Sequence, residues 1–305
     1  MTPLVCVVGQ TASGKTELGV RLARRFAAEI ISADSRQVYR GLDIGTGKDL
    51  AAYGDGADRV AYHLIDIVNV GHEYSVYEYQ NAFYQVIEQL NQRAVLPVVV
   101  GGSGLYVQAA LSAERLVHAP IDPQRRQELE QLDHDQLVAH LKGLSKPHNT
   151  TDTIDRNRLL RAIEIAEAEQ TSGPRAAPPL RPLLIGVCWP WPVLKKRIRE
   201  RLRQRLADGL VEEVAAIAET AGWERLDKLG LEYRFVSRLL RGQIANKNDL
   251  EQKLSSAINA FAKRQASWFR RMERQGHLIH WLSANEEQRA AELVAQHIEQ
   301  PRCGS

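Results

Sequence analysis

Residues Gly9-Gln10-Thr11-Ala12-Ser13-Gly14-Lys15-Thr16 have the types and spacing suited to holding phosphate. They form a P-loop: Gly, four residues, then Gly-Lys-Thr, set between the apolar run Leu4-Val5-Cys6-Val7-Val8 and a helical pattern containing Leu18, Leu22, Ala23 and Phe26. Glycines let the backbone curl so that successive N–H groups point at an anion. The helix start adds unpaired donors and partial positive charge. Lys15 supplies a full charge, and the Thr16 hydroxyl suits Mg²⁺. The loop alone indicates a phosphate-bearing ligand, with a nucleotide as the default reading.

The elements that would position this loop alternate in type. Strand-like runs fall at 4–8, 29–32, 62–67, 96–100, 183–188 and 278–281, and helical patterns at 15–28, 76–92 and 104–112. That alternation predicts an α/β fold, a P-loop NTPase-like parallel sheet flanked by helices. Ligands in such sheets collect beyond the C-terminal strand ends. Asp34, after the second run, would therefore stand at the ligand edge, and Gly101-Gly102-Ser103-Gly104 would open a helix after the fourth. That fourth run ends in glycines where a Walker-B acid would stand, which counts against ordinary ATP hydrolysis.

Between Pro120 and Pro182 helical signals take over, with Asp122-Pro123 as a start signal and an amphipathic segment at 157–164. The expected organisation is a P-loop core of 1–119 plus 183–305, with an all-helical insertion at 120–182 and a helical C-terminal part. The Pro- and Ala-rich stretch 171–182 reads as a flexible connection. The insertion could serve as a lid or as a passive packing layer. In the C-terminal third, Leu194, Ile198, Leu202 and Leu206 form a stripe at helical spacing, and Leu254, Ile258, Phe261 and Trp268 form another. Trp268 and Phe269 read as core residues.

The formal net charge is only +3, but the basic residues are clustered. One group runs from Lys195, Lys196 and Arg197 through Arg199, Arg201, Arg203 and Arg205; the other holds Lys263, Arg264, Arg270, Arg271 and Arg274. Either alone reads as a solvated helix face. Two clusters beside a phosphate-binding core point to a polyanionic partner. No apolar run approaches the roughly 20 residues of a membrane span. Met1-Thr2-Pro3 leads straight into the first strand-like run, so a signal peptide is not expected. The three cysteines, Cys6, Cys188 and Cys303, fit no zinc spacing. A cytoplasmic protein is the expectation.

Several stretches in order resemble the tRNA dimethylallyltransferase (tRNA isopentenyltransferase) family, in its bacterial form without a zinc-finger extension. Besides the P-loop they are 34–46 (Asp-Ser-Arg-Gln-Val-Tyr-Arg-Gly-Leu-Asp-Ile-Gly-Thr), 63–67 (His-Leu-Ile-Asp-Ile), 97–106 (Pro-Val-Val-Val-Gly-Gly-Ser-Gly-Leu-Tyr) and 158–164 (Arg-Leu-Leu-Arg-Ala-Ile-Glu). Further on come 197–201 (Arg-Ile-Arg-Glu-Arg), 209–214 (Gly-Leu-Val-Glu-Glu-Val), 230–234 (Gly-Leu-Glu-Tyr-Arg) and 262–270 (Ala-Lys-Arg-Gln-Ala-Ser-Trp-Phe-Arg). Three departures stand out. Gln10 replaces the usual Pro, Gly47-Lys48-Asp49 replaces Ala-Lys-Pro, and Leu231-Glu232 separates Gly230 from Tyr233.

The resemblance implies transfer of a dimethylallyl group from dimethylallyl diphosphate to N6 of adenosine 37 in tRNA, beside the anticodon. It implies Asp34 as general base, Arg201 and Thr11 near the reacting groups, and Mg²⁺ on Thr16. It implies contacts to tRNA from Asp34, Ser35, Arg36, Gln37, Ser103, Arg126, Asn157, Arg158, Leu159, Leu160, Arg161, Tyr233 and Arg234, and a monomeric enzyme. A P-loop small-molecule kinase and an adenylate isopentenyltransferase acting on free AMP are the alternatives.

Overall fold

The computed structural model describes residues 1–144, 151–173 and 175–299. The chain opens with β1 (Thr2–Gly9), α1 (Lys15–Arg25), β2 (Glu29–Ser32), β3 (Tyr62–His63), α2 (Val76–Gln92), β4 (Pro97–Gly101) and α3 (Gly104–Ala110). A separate stretch follows: β5 (Glu114–Arg115), α4 (Pro123–Glu130), α5 (His134–Leu144), α6 (Thr151–Ile154), α7 (Arg156–Ser172) and β6 (Arg175–Ala176). The chain then continues with β7 (Leu180–Val187), α8 (Trp191–Ala207), α9 (Leu210–Ala221), α10 (Trp223–Lys228), α11 (Leu231–Leu240), α12 (Lys247–Arg274), β8 (Ile279–Leu282) and α13 (Glu287–Glu299).

Two compact units result: Met1–Leu111 with Pro179–Ser305, and Ser112–Pro178. The main unit is built on a six-stranded sheet in the order β3-β2-β4-β1-β7-β8, every pairing parallel. Its central strands are apolar on both faces, as a sheet covered by helices on both sides requires. Leu4, Val5, Cys6, Val7 and Val8 of β1 are all fully buried. The loops after β2, β4 and β1 leave neighbouring parallel strands at the same edge, which makes that edge the place to look for a site.

The two best-read segments have local causes. α2 starts in a capping box: Ser75 Oγ accepts the Glu78 N–H at 3.2 Å, and Glu78 Oε2 accepts the Ser75 N–H at 2.8 Å. β2 is a short apolar run paired on both sides. The strand expected at 62–67 stops at His63, because Leu64 (φ 62°) and Asp66 (φ 56°) take left-handed conformations that break the ladder. The C-terminal helices form a second core, where Leu194, Ile198 and Leu202 of α8 meet Leu254, Ile258 and Ala262 of α12.

The smaller unit has its own core of Leu129, Leu137, Leu141, Leu159, Leu160 and Ile163. α4 starts at an Asp122 cap, with Pro123 where a missing N–H costs nothing. The unit is not all-helical: β5 and β6 pair as a two-residue antiparallel ribbon. Its limits also fall earlier at both ends than 120–182, and the stretch 171–182 holds the end of α7, β6 and the start of β7. Cys6 is buried, which pushes its thiol up to about 12; Cys188 is half-buried, and Cys303 lies outside the described residues. Among the described residues no helix is long and apolar enough to cross a membrane.

Candidate active site

The P-loop leaves β1 at Gly9 and turns through Ala12 (φ 59°) and Gly14 (φ 92°) into α1. No side chain caps α1, so its first-turn N–H groups remain available to an anion. The loop carbonyls are held from outside. Trp189 Nε1 donates to the Ser13 carbonyl at 2.8 Å, and Arg197 Nε donates to that of Ala12 at 2.8 Å. The Arg197 guanidinium lies over the Trp189 ring, 5.2 Å from its centroid. In a trans peptide the C=O and following N–H point opposite ways. Fixing the Ser13 carbonyl therefore fixes the direction of the Gly14 N–H.

α12 ties the same loop to its neighbour. Gln265 Oε1 accepts the Thr11 N–H at 2.8 Å, while its Nε2 donates to the Gly102 carbonyl at 2.8 Å. One turn earlier, the Ala262 carbonyl accepts Gln10 Nε2 at 3.0 Å, so glutamine at position 10 gains a bond proline could not make. Lys15 Nζ donates to the Gln10 carbonyl at 3.3 Å. Burial and then the Arg201 charge push Lys15 down to about 8, against the pull of Asp34 and Asp49.

After β2, the Asp34 carboxylate accepts the Arg36 N–H at 2.9 Å, closing a tight turn. Ser103 joins this turn to the loop after β4: its Oγ accepts the Ser35 N–H at 3.0 Å, and its own N–H donates to the Ala33 carbonyl at 3.2 Å. The buried Gln37 side chain is engaged at both ends, accepting from Ser32 Oγ at 3.0 Å and donating to the Gly47 carbonyl at 3.2 Å.

The loop at 43–49 is fixed by charges. Glu213 accepts the N–H groups of Asp43 (3.0 Å), Ile44 (2.6 Å) and Gly45 (2.9 Å), plus the Tyr233 hydroxyl at 2.7 Å. Lys48 is 1% exposed and donates to the Tyr39 carbonyl at 2.8 Å, to Asp43 at 2.6 Å and to Asp66. Arg201 reaches the Gly47 carbonyl at 3.3 Å and Asp49 Oδ2 at 2.7 Å; Arg205 reaches the Gly45 carbonyl at 3.2 Å and Glu232 at 3.0 Å. Glycine at position 47 suits a φ of 60° and leaves room for the two guanidinium groups, since a Cβ would lie 1.9 Å from Arg205 Nη2 and push it aside. Burial and the nearby Arg205 charge lower the Arg201 pKa.

These loops enclose a cavity of about 520 Å³. Its polar lining includes Thr11, Lys15, Thr16, Asp34, Ser103, Arg201 and Arg205, and its apolar lining includes Leu231, Ile258, Phe261 and Trp268. A second cavity of about 310 Å³ shares Lys15, Thr16 and Arg201 with the first and adds Ala12, Gly14, Glu17, Asp49, Arg197 and Glu200. Basic, donor-rich residues, a carboxylate and apolar side chains thus line one space. That combination suits an anion-bearing apolar electrophile and an acceptor that must lose a proton.

Most residues singled out in the sequence converge here, but several have supporting positions. Tyr233 is 1% exposed, with its hydroxyl committed to Glu213, and Gln37 is equally committed. Phe269 is core, as expected, whereas Trp268 lines the cavity instead. In the helical unit, Leu159 and Leu160 are buried core residues and cannot present side chains to RNA. Asn157 and Arg158 are exposed; Arg126 and Arg161 pair with Glu164 at 3.4 and 2.9 Å. The sequence alone assigned no role to Trp189, Glu213 or Gln265, although the last two lie in the stretches 209–214 and 262–270, and it marked Asp49 only as a departure from the family pattern.

A family model described as IPP transferase matches residues 37–272 of the chain. The tRNA dimethylallyltransferase 1 of Geotalea uraniireducens (strain Rf4) is 51% identical over 284 residues, covering 92% of this chain and 93% of that protein. The tRNA dimethylallyltransferase 1 of Hahella chejuensis (strain KCTC 2396) is 52% identical over 284 residues, with 92% of each covered. Among solved structures, the full-length tRNA isopentenylpyrophosphate transferase of Bacillus halodurans is similar with a TM-score of 0.71 at 30% identity, over 98% of each chain. A eukaryotic dimethylallyltransferase acting on tRNA has a like fold, with a TM-score of 0.77 at 20% identity over 100% of this chain and 81% of that one.

Proposed function

The chain belongs to the IPP transferase family, and on that premise we propose that it transfers a dimethylallyl group from dimethylallyl diphosphate to N6 of adenosine 37 in tRNA. The observation that carries this reading is that Asp34 lines the same cavity as Lys15, Thr16 and Arg201, so a base and a leaving-group cradle face one space.

The chemistry asks for both. The adenine N6 lone pair is delocalised into the ring, so the amine is a weak nucleophile. The C1–O bond to the diphosphate breaks as the N6–C1 bond forms, and the N6 proton passes to the Asp34 carboxylate. Charge growing on the departing diphosphate is met by the α1 N–H groups, Lys15 and Arg201. Thr11 stands beside them. The apolar wall of Leu231, Ile258, Phe261 and Trp268 receives the dimethylallyl group and keeps water from the carbon.

Thr16 fits a Mg²⁺ role, since its residue borders both cavities. Among the described residues no cluster of three His, Cys, Asp or Glu could form a protein cage for a metal. Mg²⁺ held by Thr16 and by the diphosphate's own oxygens would add charge neutralisation, in keeping with its preference for few protein ligands.

Adenosine 37 lies in a loop stack, so its base must be extruded to enter the cavity. Ser35, Arg36, Ser103 and Arg234 in the main unit, and Arg126, Asn157, Arg158 and Arg161 in the helical unit, are proposed tRNA contacts. Gln37 and Tyr233 act by holding the 43–49 loop, and Leu159 and Leu160 by anchoring α7 to its core. Purified protein incubated with labelled dimethylallyl diphosphate, Mg²⁺ and unmodified tRNA tests the reading. Label should enter the anticodon loop; labelling of free AMP in place of tRNA, or none at all, would contradict it.

A further inference from the structure

Asp49 sits at φ 47°, ψ 45°, a left-handed conformation open to Asp and Asn and closed to proline, whose ring fixes φ near about −65°. A proline at this point of the loop would force a different path. What the aspartate adds is a charge. Its Oδ2 accepts from Arg201 Nη2 at 2.7 Å, a closer partner than the Gly47 carbonyl at 3.3 Å on the same nitrogen.

Arg201 borders both cavities, and Asp49 borders the smaller one together with Lys15 and Thr16. A carboxylate therefore already engages one nitrogen of the guanidinium assigned to the leaving group, in a cavity that P-loop residues also line. Its field also reaches Lys15, where it works in the same direction as that of Asp34. An incoming diphosphate meets this negative charge and must share or take over Arg201.

We infer that Asp49 is an internal competitor for the diphosphate, a positioning residue that holds Arg201 in the free enzyme and weakens retention of the diphosphate product. The inference rests on the reading of this site as a diphosphate cradle. Asp49 is 53% exposed, and an ion pair with so exposed a partner shifts an equilibrium only a few-fold. Removing the charge should therefore tighten diphosphate binding about two- to five-fold. The gain should shrink in high salt, which screens exposed charges.

The test is calorimetric titration of inorganic diphosphate into the full-length protein and its Asp49→Asn variant, at saturating Mg²⁺ and at low and high salt. Asparagine tolerates the left-handed backbone and can still accept from Arg201, so only the charge is lost. Inhibition of transfer by inorganic diphosphate is measured alongside. The expected result is tighter binding and stronger product inhibition in Asp49→Asn, and in Asp49→Gly as a second variant. Unchanged binding would leave Asp49 a purely structural role, and weaker binding would make it a direct or cation-mediated holder of the diphosphate; either overturns the inference. If the unaltered protein binds no inorganic diphosphate, the cradle reading itself fails, and the inference with it.

Discussion

Gln265 accepts the Thr11 N–H at 2.8 Å from a helix that lies 254 residues further along the chain. Its other amide end donates to the Gly102 carbonyl, so one buried side chain sets the separation of the diphosphate loop and the loop bearing Ser103. Asp34 is held to Ser103 through Ser35. The spacing between the P-loop and Asp34, set first by the β1–β4–β2 pairing, is thus braced from outside the sheet by α12.

Gln265→Leu leaves the buried Gly102 carbonyl without this donor, at about 1–3 kcal/mol, and the partly buried Thr11 N–H without its acceptor at a smaller cost. Urea unfolding should show the loss of stability, and steady-state kinetics a fall in kcat at least tenfold larger than any change in KM. Gln265→Glu keeps the acceptor for Thr11 but loses the donor to Gly102, and should recover only part of the loss.

Asp34→Asn preserves the turn acceptor for the Arg36 N–H but cannot take a proton. Losing a general base typically costs about 10²–10⁴ in rate. Single-turnover transfer should slow by that factor, while inorganic diphosphate binding is kept and shifts by no more than a few-fold, since the Asp34 charge reaches Lys15 but makes no hydrogen bond to it.

Lys15 carries a pH signature. Its folded pKa, about 8, lies below the unfolded value of 10.5, so the unfolded chain holds more protons between them. Stability contributed by this group therefore rises as pH climbs from about 8 towards 10.5. Diphosphate affinity runs the other way, because the ligand needs the charged amine. Dimethylallyl diphosphate binding should weaken as pH rises through about 8, with proton uptake detectable by calorimetry in buffers of different ionisation enthalpy. Lys15→Met should bind more weakly and lose this pH dependence.

Trp189→Phe removes the donor to the Ser13 carbonyl and keeps most of the ring under Arg197. One neutral hydrogen bond is worth about 0.5–1.5 kcal/mol, or up to about tenfold in affinity. KM for dimethylallyl diphosphate should rise within that range with kcat little changed, since the Gly14 N–H loses its aim in ground and transition states alike.

Local signals carried much of the fold. The capping pair Ser75 and Glu78 and the apolar spacing fix α2 at the limits read from sequence, and Gly-Lys-Thr fixes the start of α1. β5 and β6 are two residues each, too short for any periodicity to reveal them. The truncation of β3 depends on left-handed Leu64 and Asp66, residue types that do not announce such a backbone. At the site, the motif residues were legible because their chemistry is local. Trp189 was not, because its bond to the P-loop spans 176 residues and needs the tertiary fold. Leu159 and Leu160 share a motif with Arg158 and Arg161, but helical periodicity turns them inward to a core.

The most direct measurement is mass spectrometry of nucleosides from tRNA treated with the protein and dimethylallyl diphosphate, comparing the unaltered chain with Asp34→Ala. N6-dimethylallyladenosine should appear at position 37 with the unaltered chain and form about 10²–10⁴ times more slowly with the variant. No N6-prenylated adenosine, or equal rates from both proteins, would contradict this mechanism.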